Sequence, residues 1–140
     1  SSLELNEVLT TISQGLVDEL GAAFARIWLL GPGDLCNECF NPSSCQNRES
    51  CLHLEASAGM YTNLNGEFRR VPLGVAPIGR IANDNEPIIS ANLDDDNRFP
   101  DQEFGNWVEP RQMLNNEGCM IKIVSFFRLK LMLLIPKRAV

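Results

Sequence analysis

The chain has 140 residues, 44% hydrophobic and 21% charged, which suits one globular domain spanning residues 1–140 and leaves no expectation of a second. A net charge of −6 and a pI near 4.7 argue against a nucleic-acid interface, which requires a basic face. All eighteen acids precede Cys119, whereas every lysine (Lys122, Lys130, Lys137) follows it, so the charge balance switches abruptly near the C-terminal end.

The opening SSLELNEVL has neither a basic n-region nor an uninterrupted apolar core, so no signal peptide is expected and a cytoplasmic setting is the default. Leu5, Val8, Leu9, Ile12, Leu16, Val17 and Leu20 recur at helical spacing, which predicts an amphipathic helix over residues 3–20 that stops near Gly21. FARIWLL reads as a strand closed by the turn-forming GPGD. After a cysteine-rich segment, LHLEASAG reads as a second strand, antiparallel to the first, with Leu52, Leu54, Ala56 and Ala58 on one face. YTNLNGEFRRVPLG supplies a turn at Asn65-Gly66 and a short strand. Gly74 to Ala82 then has the spacing of a short helix, EPIISANL reads as a strand, and DDDNRFPDQEF reads as an acidic loop. Residues 107–115 are a candidate helix in which Pro110 is unfavourable. The final MIKIVSFFRLKLMLLIP is broken by three cations and ended by Pro136, short of the ~20 apolar residues of a spanning helix. Its odd positions Ile121, Ile123, Phe127, Leu129, Leu131, Leu133 and Ile135 are apolar, the period of a sheet face, so it is expected to be buried strand and not membrane.

A leading helix, then strands interleaved with short helices, is an α+β layout with an antiparallel sheet. RRVPLGVAPIGRIANDNEPIISANLDDDNRFPDQEF resembles the centre of a GAF domain: a Val-Pro-Leu-Gly turn, an Ile-Gly helix, a Glu-Pro strand and an Asn…Asp-x-Arg-Phe loop follow in the family's order. The likeness spans roughly residues 8–110. It implies a sheet of six or so antiparallel strands flanked by helices, and a sensory module such as the input domain of a histidine kinase or transcriptional regulator. It also implies a homodimer through the first helix, with Leu5, Leu9, Ile12 and Leu16 at the contact. The end departs from the family, because no glycine follows Gly118 to mark the usual last hairpin. A single strand of that length would exceed the usual ~3–10 residues, so either a glycine-free turn lies within residues 125–130 or the sheet is irregular there.

Cys36, Cys39, Cys45 and Cys51 crowd an insert, residues 34–51, with few apolar side chains to order it. Four thiolates converging on one ion would order the loop and create a site, since structural zinc and iron–sulfur clusters each accept four cysteines. Metal binding is the leading expectation, with the cluster slightly ahead of zinc; disulfides and free oxidisable thiols are the alternatives. His53 is expected to be a solvated or hydrogen-bonded strand residue. Bilin-binding relatives attach their chromophore through a cysteine next to a histidine on a later helix; residues 104–118 contain no cysteine, so no bilin is expected. Cys119 enters an apolar run and reads as a structural thiol.

The cyclic-nucleotide signature of the family is missing, since no lysine precedes position 122. A small-molecule pocket would be lined by Trp28, Tyr61, Ile78, Ile81 and Trp107; the competing reading places all five in the core. The enzyme alternative is a thiol reductase like the free methionine sulfoxide reductases, which share the GAF fold. Their cysteine contexts are not found here, and Glu38 and Glu49 among the thiols, with Arg48 the one cation, do little to stabilise a thiolate. No phosphate loop or Ser-His-Asp order is apparent, so the module is expected not to be an enzyme.

Overall fold

The structure, a computed structural model, describes residues 2–90, 119–126 and 128–136. The acidic loop, the candidate helix at 107–115 with Trp107, and the side chain of Cys119 lie outside the described residues. Helix α1 (Ser2–Leu20) ends at Gly21, which takes a left-handed φ of 65° and donates its N–H to Val17 O at 3.1 Å. Strands β1 (Phe24–Pro32), β2 (Ser50–Gly59) and β3 (Arg70–Pro72) precede helix α2 (Ala76–Asp84), and β4 (Ile88–Ser90), β5 (Cys119–Phe126) and β6 (Leu129–Pro136) follow it. All neighbouring strands pair antiparallel, in the order β3-β2-β1-β6-β5-β4. The α+β layout read from the sequence is that of the folded chain, and among the described residues the helices and strands follow in the expected order.

β1 is central and buried on both faces. Phe24 and Trp28 point into the main core with Leu52, Ile78, Ile81, Ile123, Met132 and Leu134. Ile27 points the other way, where Leu9 of α1 packs on it and on Ala56. Leu16 and Val17 pack beside them against Ala22, Ala25 and Leu133. Leu9 and Leu16, expected at a dimer contact, are therefore used against the chain's own sheet, while Leu5 and Ile12 stay exposed.

Two face assignments are corrected. Ile27 pairs with Ala56 but Trp28 pairs with Leu54, so a bulge at Glu55 inserts one residue into β2. Leu54 and Ala56 have the same parity yet face opposite sides, Leu54 joining the main core and Ala56 the α1 side. The C-terminal segment is a hairpin in which Phe126 pairs with Leu129, and the turn contains no glycine. Paired residues such as Ile123 and Met132 then have opposite parity. Ile123 faces the main core while Leu129, Leu131, Leu133 and Ile135 pack on the α1 side, so the odd positions do not share a face.

α2 begins with Pro77 in its first turn and ends at Asn85, whose left-handed backbone (φ 58°) lets its N–H reach Ile81 O. Its close seat on β3 depends on Gly79, where a Cβ would lie 2.4 Å from Pro72 O. Gly15, mid-way along α1, has open space instead. Alanine favours a helix interior by about 1 kcal/mol over glycine, so the two sites separate propensity from packing. Gly15→Ala is expected to raise the urea midpoint and Gly79→Ala to lower it, read from equilibrium unfolding by circular dichroism.

Candidate functional site

The cysteine insert leaves the sheet at the end of β1 and re-enters at the start of β2, so the strand pair fixes both of its ends. Gly33 N–H donates to Glu49 O at 3.1 Å, closing the base. Only glycine fits there, because a Cβ would lie 1.9 Å from Arg48 O and 3.1 Å from Cys36 Sγ. Inside the loop, Arg48 Nη1 donates to Asn37 Oδ1 (3.1 Å), and Asn47 Oδ1 accepts from Glu49 N–H (2.9 Å). A short 3-10 turn, Pro42–Ser44, follows Asn41. The one aromatic of the insert, Phe40, packs on Phe68 with ring centroids 5.0 Å apart, and its N–H donates to Arg70 O at 2.8 Å.

Arg70 ties the insert to β3. Its Nε donates to Asp34 Oδ1 (2.7 Å) and its Nη2 to Asp34 Oδ2 (2.9 Å), the two-pronged geometry that suits guanidinium and carboxylate. These bonds hold the Asp34 carboxyl well below the usual carboxylate range. His53 on β2 completes the clasp: its Nε2 lies 2.7 Å from Pro32 O and 3.8 Å from Asp34 Oδ1. Since a carbonyl only accepts, Nε2 carries the proton and donates to Pro32.

All four insert cysteines are free thiols, Cys39 and Cys51 buried and Cys36 and Cys45 half-buried. Each donates to a backbone carbonyl: Cys36 to Arg48 O (3.5 Å), Cys39 to Cys36 O (3.3 Å), Cys45 to Asn47 O (3.4 Å) and Cys51 to Pro32 O (3.6 Å). Burial pushes the Cys51 thiol up to about 11; Arg70 pulls it down, and negative charge on Asp34, Cys36 and Cys39 pushes it further up. Burial also raises Cys39, with charge on Cys45 and Cys36 adding to it.

Among the described residues, Asp34, Cys51 and His53 bring three donor atoms within 4.8 Å of one another. Arg70 occupies both oxygens of Asp34 and Pro32 O occupies Nε2 of His53, so this group is built first as a clasp. Spacing alone did not reveal it, because Asp34 and Arg70 are far apart in sequence. Of the expected pocket residues, Trp28, Ile78 and Ile81 are in the core, with Trp28 Nε1 donating to Phe68 O at 3.0 Å. Tyr61 instead lines a cavity of about 210 Å³ with Arg26, Leu54, Asn63, Glu67 and Phe68.

No family model matches the sequence, and no curated protein matches it. Solved structures do match the folded chain. The A. aeolicus NLH2 GAF domain, in an inactive state, aligns over 96% of this chain and 70% of its own at 13% identity and a TM-score of 0.62. This chain has a GAF-like fold. A type II free methionine-R-sulfoxide reductase from Thermoplasma acidophilum aligns over 99% of this chain and 78% of its own, at 12% identity and a TM-score of 0.60. The Staphylococcus aureus NreA protein, mutated in its nitrate binding site, aligns over 98% and 89% at 12% identity, also with a TM-score of 0.60. The GAF-like sheet thus carries the insert on its β1–β2 connection, and among the described residues no helix is long and apolar enough to cross a membrane.

The clasp has a pH signature in metal-free protein. Because the folded Asp34 carboxyl titrates below its ordinary 3.8, its contribution is complete above that value and is lost as pH falls through the folded value. Asp34 is partly exposed, so the gap is small, under about 1 kcal/mol. Asp34→Asn is expected to lower the melting temperature at neutral pH, and the difference should close in acid below about pH 3. A difference that stays constant across that range would contradict the assignment.

Proposed function

We propose that this chain is a sensory module of a signal-transduction protein, and that Cys36, Cys39, Cys45 and Cys51 hold its metal centre. The supporting observation is that four free thiols lie in one insert whose two ends the β1–β2 pair holds together. Four thiolates in one loop repel one another, and a bound cation converts that repulsion into coordination. Arg48 and Arg70, which favour the charged forms of Cys39 and Cys51, ease the loss of their protons. A tetrahedral zinc and an iron–sulfur cluster both suit four thiolates. The reductase alternative needs a low-pKa nucleophile, and the two buried thiols are raised instead. The module accordingly transmits and does not catalyse.

Protein purified without oxygen is expected to carry about one zinc or a brown iron–sulfur chromophore, because four thiolates complete either site. Cys39→Ser should lose it and Cys119→Ser keep it. Metal-free protein with five freely titrating thiols would refute the reading, and multiple turnover of free methionine sulfoxide, abolished by one cysteine substitution, would establish the reductase.

The partner we propose is a second copy, meeting across the exposed side of α1. Leu5, Val8 and Ile12 are each about half exposed and follow one another at helical spacing. Sedimentation should show Ile12→Glu shifting the protein to monomer with its melting temperature kept, whereas Leu9→Glu should unfold it, since Leu9 is only 3% exposed. A wild type that stays monomeric at high concentration would remove this contact.

A further inference from the structure

Arg26 is the third residue of strand β1, and its side chain shares the core-facing side with Phe24 and Trp28. It is 5% exposed. Its guanidinium carbon stands 4.7 Å from the Phe24 ring centre, 4.6 Å from Tyr61 and 5.7 Å from Phe68. Nε and Nη1 are buried and have no hydrogen-bond partner. Burial lowers the group only to about 10, so it is charged at neutral pH. Three aromatic faces offset part of the desolvation cost through their quadrupoles. They cannot accept the open N–H bonds as a carboxylate does, and an unpaired buried cation is expensive. The cavity of about 210 Å³ runs beside this group and is mostly apolar, with Leu54, Tyr61 and Phe68 on its walls and the exposed Glu67 on its lining.

We infer that this cavity binds a small organic monocarboxylate, its carboxylate beside the Arg26 guanidinium that lines the cavity and its apolar body against Leu54, Tyr61 and Phe68. One buried cation matches one negative charge, and Glu67 disfavours a dianion such as phosphate. The volume equals that of about seven waters at ~30 Å³ each, enough for a ring or short chain beyond the carboxylate. The site is separate from the thiols and stands whether or not they hold a metal.

Benzoate is a suitable probe, with benzamide as its uncharged shape match and nitrate and phosphate as inorganic oxyanions, all titrated calorimetrically into the full chain at fixed ionic strength. Benzoate is expected to bind at least about tenfold more tightly than benzamide, the scale of one charge-assisted hydrogen bond, and more tightly than nitrate or phosphate. Arg26→Met should lose that preference while melting no lower than wild type, because it replaces an unpaired buried charge with an apolar side chain. Glu67→Gln, on the exposed lining, should fold as wild type and tighten benzoate severalfold. Equal binding of benzoate and benzamide, no benzoate binding by wild type, tighter binding of nitrate or phosphate, or an unchanged benzoate affinity in Glu67→Gln would each overturn the inference.

Discussion

Burial of β1 on both faces and pairing on both edges is the constraint from which the rest of the molecule is built. β2 holds one edge and β6 the other along Phe24 to Leu29, so each side chain from Phe24 to Trp28 is buried in one of two layers. The bulge at Glu55 sets how β2 answers that commitment. Without the extra residue, Leu54 and Ala56 would fall on the same side and either the main core or the seat of α1 would lose its partner. With it, Trp28 meets Leu54 in the thick layer, and Ile27 meets the small Ala56, which leaves room for Leu9 of the helix.

The same strand delivers the insert. Gly31 and Pro32 end β1 opposite Cys51 and Ser50, so the first and last parts of the loop are held at adjacent positions of a rigid pair. Loop order then comes from polar bonds and one aromatic contact, not from a core: Asp34 to Arg70, Arg48 to Asn37, Phe40 on Phe68. Such a loop leaves its four thiols bonded to backbone carbonyls through S–H groups, which are weak donors.

The sequence disclosed what depends on period and on local turn chemistry. α1 with its stop at Gly21, β1, β2, and α2 all carry strong repeats, and the family likeness around Val71-Pro72-Leu73-Gly74 agrees with the GAF-like fold of the structure. Faces were less legible. Glu55 continues an apparent alternation in LHLEASAG, so nothing local marks it as the extra residue, and the turn after Phe126 reverses parity without a glycine to announce it. The clasp was hidden because Asp34 and Arg70 meet only through the sheet register that places β3 beside β2. Arg26 did leave a trace: a charged residue inside FARIWLL shares the parity of Phe24 and Trp28, and that pattern puts a cation among aromatics.

Arg26 and Ile27 are consecutive, yet one faces the aromatic cavity and the other the helix. A ligand that pairs with Arg26 acts on the strand that also supports Leu9, with no intervening side chain. A change in the insert acts on the same strand at Pro32, through its bonds to His53 and Cys51. Shared backbone by itself is not coupling, which requires an element with two arrangements that both sites bias. α1 packs on the sheet by one side only, through Leu9, Leu16 and Val17, and its other side presents Leu5, Val8 and Ile12 outward. A small shift of β1 would be felt first where Leu9 sits between Ile27 and Ala56, because that contact joins the helix to the strand at the bulge. β1 shares that support with β2 and β6, since Leu9 also rests on Ala56 and Leu16 and Val17 lie beside Leu133, so a shift of any of the three strands would bear on the helix.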